Sequence, residues 1–203
     1  MSEHYFTAKP GAEHRPSDFT AELKGRTYRF VTDAGVFSKG EVDFGTRLLI
    51  DCLELRPGDV VLDLGCGYGP IGVVAGDLVG PDGRVYMVDV NERAVELAKK
   101  NLSLNGIGNA QAILSDGLSA LEGLAFDWVL CNPPIRAGKK VVYPLLAAAY
   151  GALKPGGCLL LVIRTKQGAK SLQAYLEELA GSCITVERQG GYRVLQCCRP
   201  PRT

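Results

Sequence analysis

The stretch VVLDLGCGYGPIG, residues 60–72, decides the fold. Residues 60–64 are an apolar, β-branched run of strand length, interrupted only by Asp63. Glycines at 65, 67 and 69 then turn the chain, and Pro70 stands where proline opens a helix. In a strand, glycine-rich turn and helix of this kind the backbone approaches a ligand closely, and the helix N-terminus offers the positive end of its dipole. A nucleotide-like ligand is implied.

Outward from this unit the pattern alternates. Upstream, FTAEL (19–23) and TYRFVTD (27–33) predict a hairpin turning at Lys24-Gly25, part of an N-terminal β appendage over residues 1–36. Residues 44–55 place Leu48, Leu49, Cys52, Leu53 and Leu55 near one helical face, stopped by Pro57-Gly58. Downstream, strand 85–90 precedes a helix over 91–105, capped by Asn91, with Ala94, Val95, Ala98 and Leu102 on one face and Glu96 paired with Lys100. Strands follow at 110–114 and 128–131, then a helix in the 140s, an LKPGG turn (153–157) and a strand at 158–163. A helix through Leu172, Leu176 and Leu179 leads to two strands, CITVERQ and YRVLQCC, joined by Gly190-Gly191. Short apolar strands alternating with amphipathic helices predict an open, mostly parallel α/β sheet with helices on both faces, the tight last connection making the final strand antiparallel.

Composition is that of a globular domain, with 46% hydrophobic and 22% charged residues. Lys plus Arg at 23 against Asp plus Glu at 22 excludes a global field for nucleic acid or membrane, so such a partner is met by a local patch. The seven cysteines form no CxxC pair and mostly sit in apolar runs, which suggests small hydrophobes in a reducing cytoplasm. Histidines stand only at positions 4 and 14, so no metal site is expected. No signal peptide is evident, and the thirteen-residue apolar run 141–153 is too short to span a bilayer; a cytoplasmic protein is expected.

Three acids close three strands: Asp63, Asp89 in VYMVDV, and Asp116 in AILSDG. Gly67, Gly69 and Gly72 also fit GxGxxG, with Asp89 following at the distance of a ribose-binding acid, so a dinucleotide reading is open. Capping of helices or turns is the plainer role for Asp63 and Asp116. In DWVLCNPPIRAGKK (127–140) a strand runs into Asn132-Pro133-Pro134, where two prolines remove two donors and make a stiff exit.

The Asp-x-Gly-x-Gly-x-Gly pattern at residues 63–69 resembles the first motif of class I S-adenosylmethionine (SAM) methyltransferases, and Asn132-Pro133-Pro134 resembles the motif of those that act on planar amines. DAGVFSKGEVDFGTRLL, VVLDLGCGYGPIG, VDVNERAVELAKKN and CNPPIRAGKK together resemble the methyltransferase small domain family, which includes bacterial 16S ribosomal RNA guanine-N2 methyltransferases. The resemblance implies a Rossmann-like seven-stranded methyltransferase domain over residues 37–203. It also implies SAM held by Thr46, Asp63, Gly65, Cys66, Gly67, Asp89, Val90, Asp116, Gly117 and Asn132. Asn132, Pro133, Pro134 and Ile135 would form the catalytic segment, the Asn132 side chain and Pro133 carbonyl accepting the amine's N–H groups. Guanine N2 of ribosomal RNA would be the methylated amine, with ribosomal RNA or the small ribosomal subunit as partner; a glutamine amide of a protein or another nucleobase is the alternative substrate, and an NAD-dependent oxidoreductase or a non-catalytic SAM- or RNA-binding module are the competing readings.

Ile135 departs from the aromatic residue of the broader motif, leaving Phe37, Tyr68 or Tyr143 as candidate stacking faces. Phe37, Arg136, Lys139 and Lys140 are candidates for substrate contact, and Lys9, Arg15, Lys24, Arg26 and Arg29 would extend the basic surface. Asp43 and Thr46 have two open readings, pocket residues or caps of the helix that starts at Phe44.

Overall fold

The computed structural model describes residues 15–36 and 40–202; His4, Lys9, His14 and Phe37, singled out above, lie outside them. Two antiparallel strands come first, β1 (Ser17–Leu23) and β2 (Arg26–Thr32). Lys24 and Gly25 between them have φ of 50° and 75°, the positive values a two-residue hairpin turn requires. Helix α1 (Phe44–Asp51) ends earlier than the expected Leu55. Its last turn tightens, with the Cys52 N–H reaching the Leu48 and Leu49 carbonyls and the Leu53 N–H reaching Ile50, and Pro57 disfavours helical backbone at Arg56.

The alternating core comprises β3 (Val60–Leu64), α2 (Pro70–Val79), β4 (Arg84–Asp89), α3 (Glu92–Leu104), β5 (Ala110–Leu114), β6 (Phe126–Cys131), α4 (Lys139–Gly151), β7 (Leu153–Arg164), α5 (Ala169–Ala180), β8 (Ile184–Gln189) and β9 (Tyr192–Cys198). These strands form one seven-stranded sheet in the order β5-β4-β3-β6-β7-β9-β8, with β9 antiparallel to both neighbours, as the pattern predicts. The chain runs outward from β3 to β5 and then returns across β3 to β6. The carboxyl ends of β3 and β6 therefore flank a switch point, where open α/β sheets leave a crevice.

Both faces of the sheet are covered. Val61, Met87, Leu130 and Leu160 face a core built with α1, α2, α3 and the hairpin. Leu62, Val88, Val129 and Leu161 face a second core with α4 and α5. Burial on alternate sides explains the near-continuous apolar strands. The LKPGG segment is a bulge within β7 instead of a turn before it, because pairing jumps from Phe126–Leu153 to Trp128–Cys158.

The hairpin is stitched to α3 by asparagines. Asn101 Oδ1 accepts the Val31 N–H at 2.7 Å, and its Nδ2 donates to the Val31 and Tyr68 carbonyls at 2.9 and 2.7 Å. At the open end, Asn105 exchanges the same pair of bonds with Arg29. On the wet face of α3 Glu96 pairs with Lys99 at 2.8 Å, not with the expected Lys100. Cysteines 66, 131, 183 and 197 are buried as expected, but Cys158 and Cys198 form a disulfide. They are direct partners in the β7–β9 register, a proximity that sequence spacing does not disclose. Among the described residues no helix is long and apolar enough to cross a membrane.

Candidate active site

A cavity of about 420 Å³ opens at the carboxyl ends of β3, β4, β5 and β6. Its floor is the turn after β3. Gly65 and Gly67 have φ of 73° and 57°, and a Cβ on either would meet no atom within 4 Å, so this backbone faces open space. Gly69 serves packing instead: a Cβ there would lie 2.6 Å from Met87 Cε. The turn hangs on β4, since Gly65 and Cys66 both donate to the Val88 carbonyl at 2.9 Å.

Asp89 ties the floor together. Its Oδ2 accepts the Gly67 N–H and its Oδ1 the Asn91 N–H, each at 2.9 Å. Burial raises its pKa against the pull of these bonds. Asp89 and Val90 both line the cavity. Beyond β5, Ser115 donates to the Gly117 carbonyl at 2.9 Å and accepts the Ala120 N–H at 3.1 Å, shaping the bend that brings Asp116 and Gly117 to the wall.

At the end of β6, Asn132 Nδ2 donates to Thr46 Oγ1 at 3.0 Å. That bond sets the orientation of the carboxamide and leaves Oδ1 as an acceptor without a protein partner among the described residues. Thr46 is positioned in turn by Asp43, whose Oδ1 caps α1 by accepting the Gly45 and Thr46 N–H groups at 3.0 and 3.2 Å. Asp43 both caps α1 and lines the cavity, whereas Thr46 lines the cavity without capping the helix. Pro134 has φ −75° and ψ 71°, the centre of an inverse γ-turn closed by the Ile135 N–H on the Pro133 carbonyl at 2.8 Å.

Several expected site residues lie elsewhere. Asp63 is fully buried beneath the turn and outside the cavity lining. Its Oδ2 accepts the Gly72 N–H at 2.8 Å, and its Oδ1 has no partner among the described residues. Burial pushes its pKa up to about 7, the Gly72 bond opposing and the nearby Asp89 charge adding to the rise. Pro133 and Ile135 are also absent from the lining, and Ile135 packs against the α4 and α5 core. Lys139 turns away to Ser171 Oγ at 2.7 Å, while Arg136 and Lys140 are exposed outside the lining.

Of the candidate stacking faces, Tyr143 is stacked on Tyr175 at 4.2 Å, and Tyr68 is held edge-on by Phe19 and Phe30. Sequence reasoning did not single out Val36, Ile71, Ser115, Val141, Pro144 or Leu145, which give the cavity much of its wall. Their apolar or small side chains carry no signal of their own; only the motifs around them could have pointed there. Among the described residues no group of three or more His, Cys, Asp or Glu is placed to hold a metal ion.

Asp89, Asp116 and Gly117 thus line one cavity with the glycine turn. The model of the methyltransferase small domain family matches residues 27–196. YbxB of Bacillus subtilis (strain 168), described as uncharacterized, is 44% identical over 201 residues, covering 97% of this chain and 98% of its own. Ribosomal RNA small subunit methyltransferase C of Pseudoalteromonas atlantica is 36% identical over 172 residues, which are 83% of this chain but 46% of that protein. The chain thus spans about half the length of such ribosomal RNA methyltransferases. Among solved structures, the T. thermophilus 16S rRNA N2 methyltransferase RsmC, in complex with AdoMet and guanosine, superposes with a TM-score of 0.82 at 32% identity, over 91% of this chain and 50% of that one. The chain belongs to the methyltransferase small domain family and is a SAM-dependent methyltransferase.

Proposed function

We propose that the chain methylates an exocyclic amine, guanine N2 of ribosomal RNA, with the small ribosomal subunit or its RNA as partner. The observation that carries this reading is the Asn132–Thr46 bond, which holds a carboxamide oxygen toward the cavity that Asp89 and the glycine turn also line. Bound in that cavity, SAM supplies an electrophilic methyl group on a sulfonium. Gly65, Cys66 and Gly67 would pass along it, Asp89 would accept from its ribose hydroxyls, and Asp116 and Gly117 would flank its adenine.

An amine conjugated to a purine ring is a poor nucleophile, and positive charge grows on nitrogen as it attacks. Two acceptors fixed on its N–H groups stabilise that charge and aim the lone pair. Asn132 Oδ1 is one. The Pro133 carbonyl, just outside the cavity lining, would be the other, with one lone pair engaged by Ile135 and a second left to use. The prolines and the γ-turn hold both acceptors in place before the substrate arrives. The nitrogen loses its proton to water after methylation, so no side-chain base is required.

The test is transfer of labelled methyl from SAM to ribosomal RNA, naked and as small subunits, followed by digestion to nucleosides. Label in N2-methylguanosine is the expected result. Label in another nucleoside, or in a glutamine amide of a ribosomal protein, would replace the substrate proposed here.

A further inference from the structure

Beside the cavity, side chains from three elements stack on one another. The Phe44 ring, at the start of α1, lies 5.5 Å from the Tyr192 ring at the start of β9. The Arg164 guanidinium, at the end of β7, covers Tyr192 at 5.0 Å, and its Nε donates to the Tyr192 hydroxyl at 2.5 Å. The backbone gives way to these rings: a Cβ on Gly190 would meet Phe44 Cε1 at 2.5 Å, and one on Gly45 would meet Tyr192 Cε1 at 2.8 Å. Yet Phe44 is not closed over; it remains 44% exposed. Arg164 is exposed and has no carboxylate partner among the described residues.

The cluster adjoins the reaction site. Gly45, pressed against Tyr192, is followed directly by Thr46, whose hydroxyl receives the Asn132 amide. Phe44 itself directly follows Asp43, which lines the cavity, and stands two residues before Thr46. Unpaired bases stack on aromatic rings and guanidinium planes with little regard to sequence, and an unpaired arginine meets the accompanying phosphate. Of the other candidate rings among the described residues, Tyr143 is stacked on Tyr175 and Tyr68 is held edge-on by Phe19 and Phe30, and Ile135 packs against the core.

We propose that Phe44, Tyr192 and Arg164 form a substrate-positioning platform that stacks a base flanking the target in single-stranded RNA and pairs Arg164 with its phosphate. The proposal rests on the RNA reading above and adds the surface that would bind the substrate's neighbouring nucleotide.

The test is fluorescence anisotropy with a labelled single-stranded RNA dodecamer containing one guanosine, across a range of salt, with SAM affinity measured by calorimetry on the same samples. Phe44→Ala and Tyr192→Leu are expected to weaken RNA binding roughly 10-fold or more, with SAM affinity kept. Tyr192→Phe retains the ring and most of the binding. Arg164→Gln, a surface change that keeps the fold even where a ring variant fails, lowers the slope of log affinity against log salt by about 0.7. Equal RNA binding by Phe44→Ala and parent, or an unchanged salt slope in Arg164→Gln, would overturn the platform while leaving the methylation result to stand. A parent protein that binds the RNA not at all, with SAM affinity intact, would overturn platform and RNA reading together.

Discussion

At the scale of single residues, the site depends on which way one amide points. Asn132→Ala should bind SAM nearly as the parent does and lose turnover by a factor on the order of 100 or more, the size typical of removing a preorganised transition-state contact. Thr46→Val leaves the carboxamide in place without the hydroxyl that orients it, so kcat falls while KM for SAM holds, and Thr46→Ser restores the rate. Steady-state kinetics on the methylated substrate separates these outcomes; normal turnover in Asn132→Ala would end the mechanism. Asp63 gives a prediction of a different kind. Its folded-state pKa of about 7 lies above the ordinary 3.8, so the folded protein binds the extra proton between those values. Its contribution to stability is therefore full below pH 3.8 and is lost as pH rises through about 7. The whole effect is about 4 kcal/mol at most, from the size of the shift. Asp63→Asn should flatten the fall in urea midpoint between pH 5 and pH 8, and an unchanged fall would assign it to other groups, Asp89 first, whose pKa burial also raises.

At the scale of elements, α1 shows how a cap becomes part of a site. Asp43→Ala removes the acceptor for two orphan N–H groups and should cost about 1 kcal/mol of stability, as N-caps do. Asp43→Asn keeps an oxygen there and should cost less; thermal unfolding of the pair reads the difference, and equal melting of parent and Asp43→Ala would remove the cap from the account. The periodicity of the sequence carried most elements well, because apolar spacing and the Asn91 cap are local signals. It misplaced what depends on a partner strand. LKPGG reads as a turn because Pro155 and two glycines usually make one, yet the segment is a bulge whose Gly157 is required by the neighbour: a Cβ there would sit 2.7 Å from the Phe126 carbonyl oxygen. The candidate site divides in the same way. Residues that contribute polar atoms, Asp89, Asp116, Asn132 and Thr46, stand in recognisable patterns and line one cavity. Asp63 stands in the same kind of pattern but faces inward, because its side chain leaves the strand on the side of Gly72, and strand alternation alone does not say which acid meets the ligand.

At the scale of the whole molecule, the hairpin and the glycine turn are joined through one buried side chain. Asn101 is fully buried and binds the Val31 N–H, the Val31 carbonyl and the Tyr68 carbonyl, so its carboxamide serves β2 and the floor of the cavity together. No sequence pattern announces this, since Asn101 sits in the last turn of α3 with nothing in its spacing to mark a partner in the hairpin. The Asn105–Arg29 exchange nearby is exposed, and water can replace it at little cost. Asn101→Ala instead removes three hydrogen bonds to backbone groups in a dry interface, each worth about 1 to 3 kcal/mol where the group is left buried. A loss on the order of 3 kcal/mol or more in urea unfolding is therefore expected, against well under 1 kcal/mol for Asn105→Ala. The same change removes the Asn101 bond to the Tyr68 carbonyl between Gly67 and Gly69, so SAM affinity by calorimetry should fall although Asn101 is not among the residues lining the cavity. If Asn101→Ala unfolded within about 1 kcal/mol of the parent and bound SAM as tightly, the hairpin would be a passive cover, and the glycine turn would hold its shape from β4 alone.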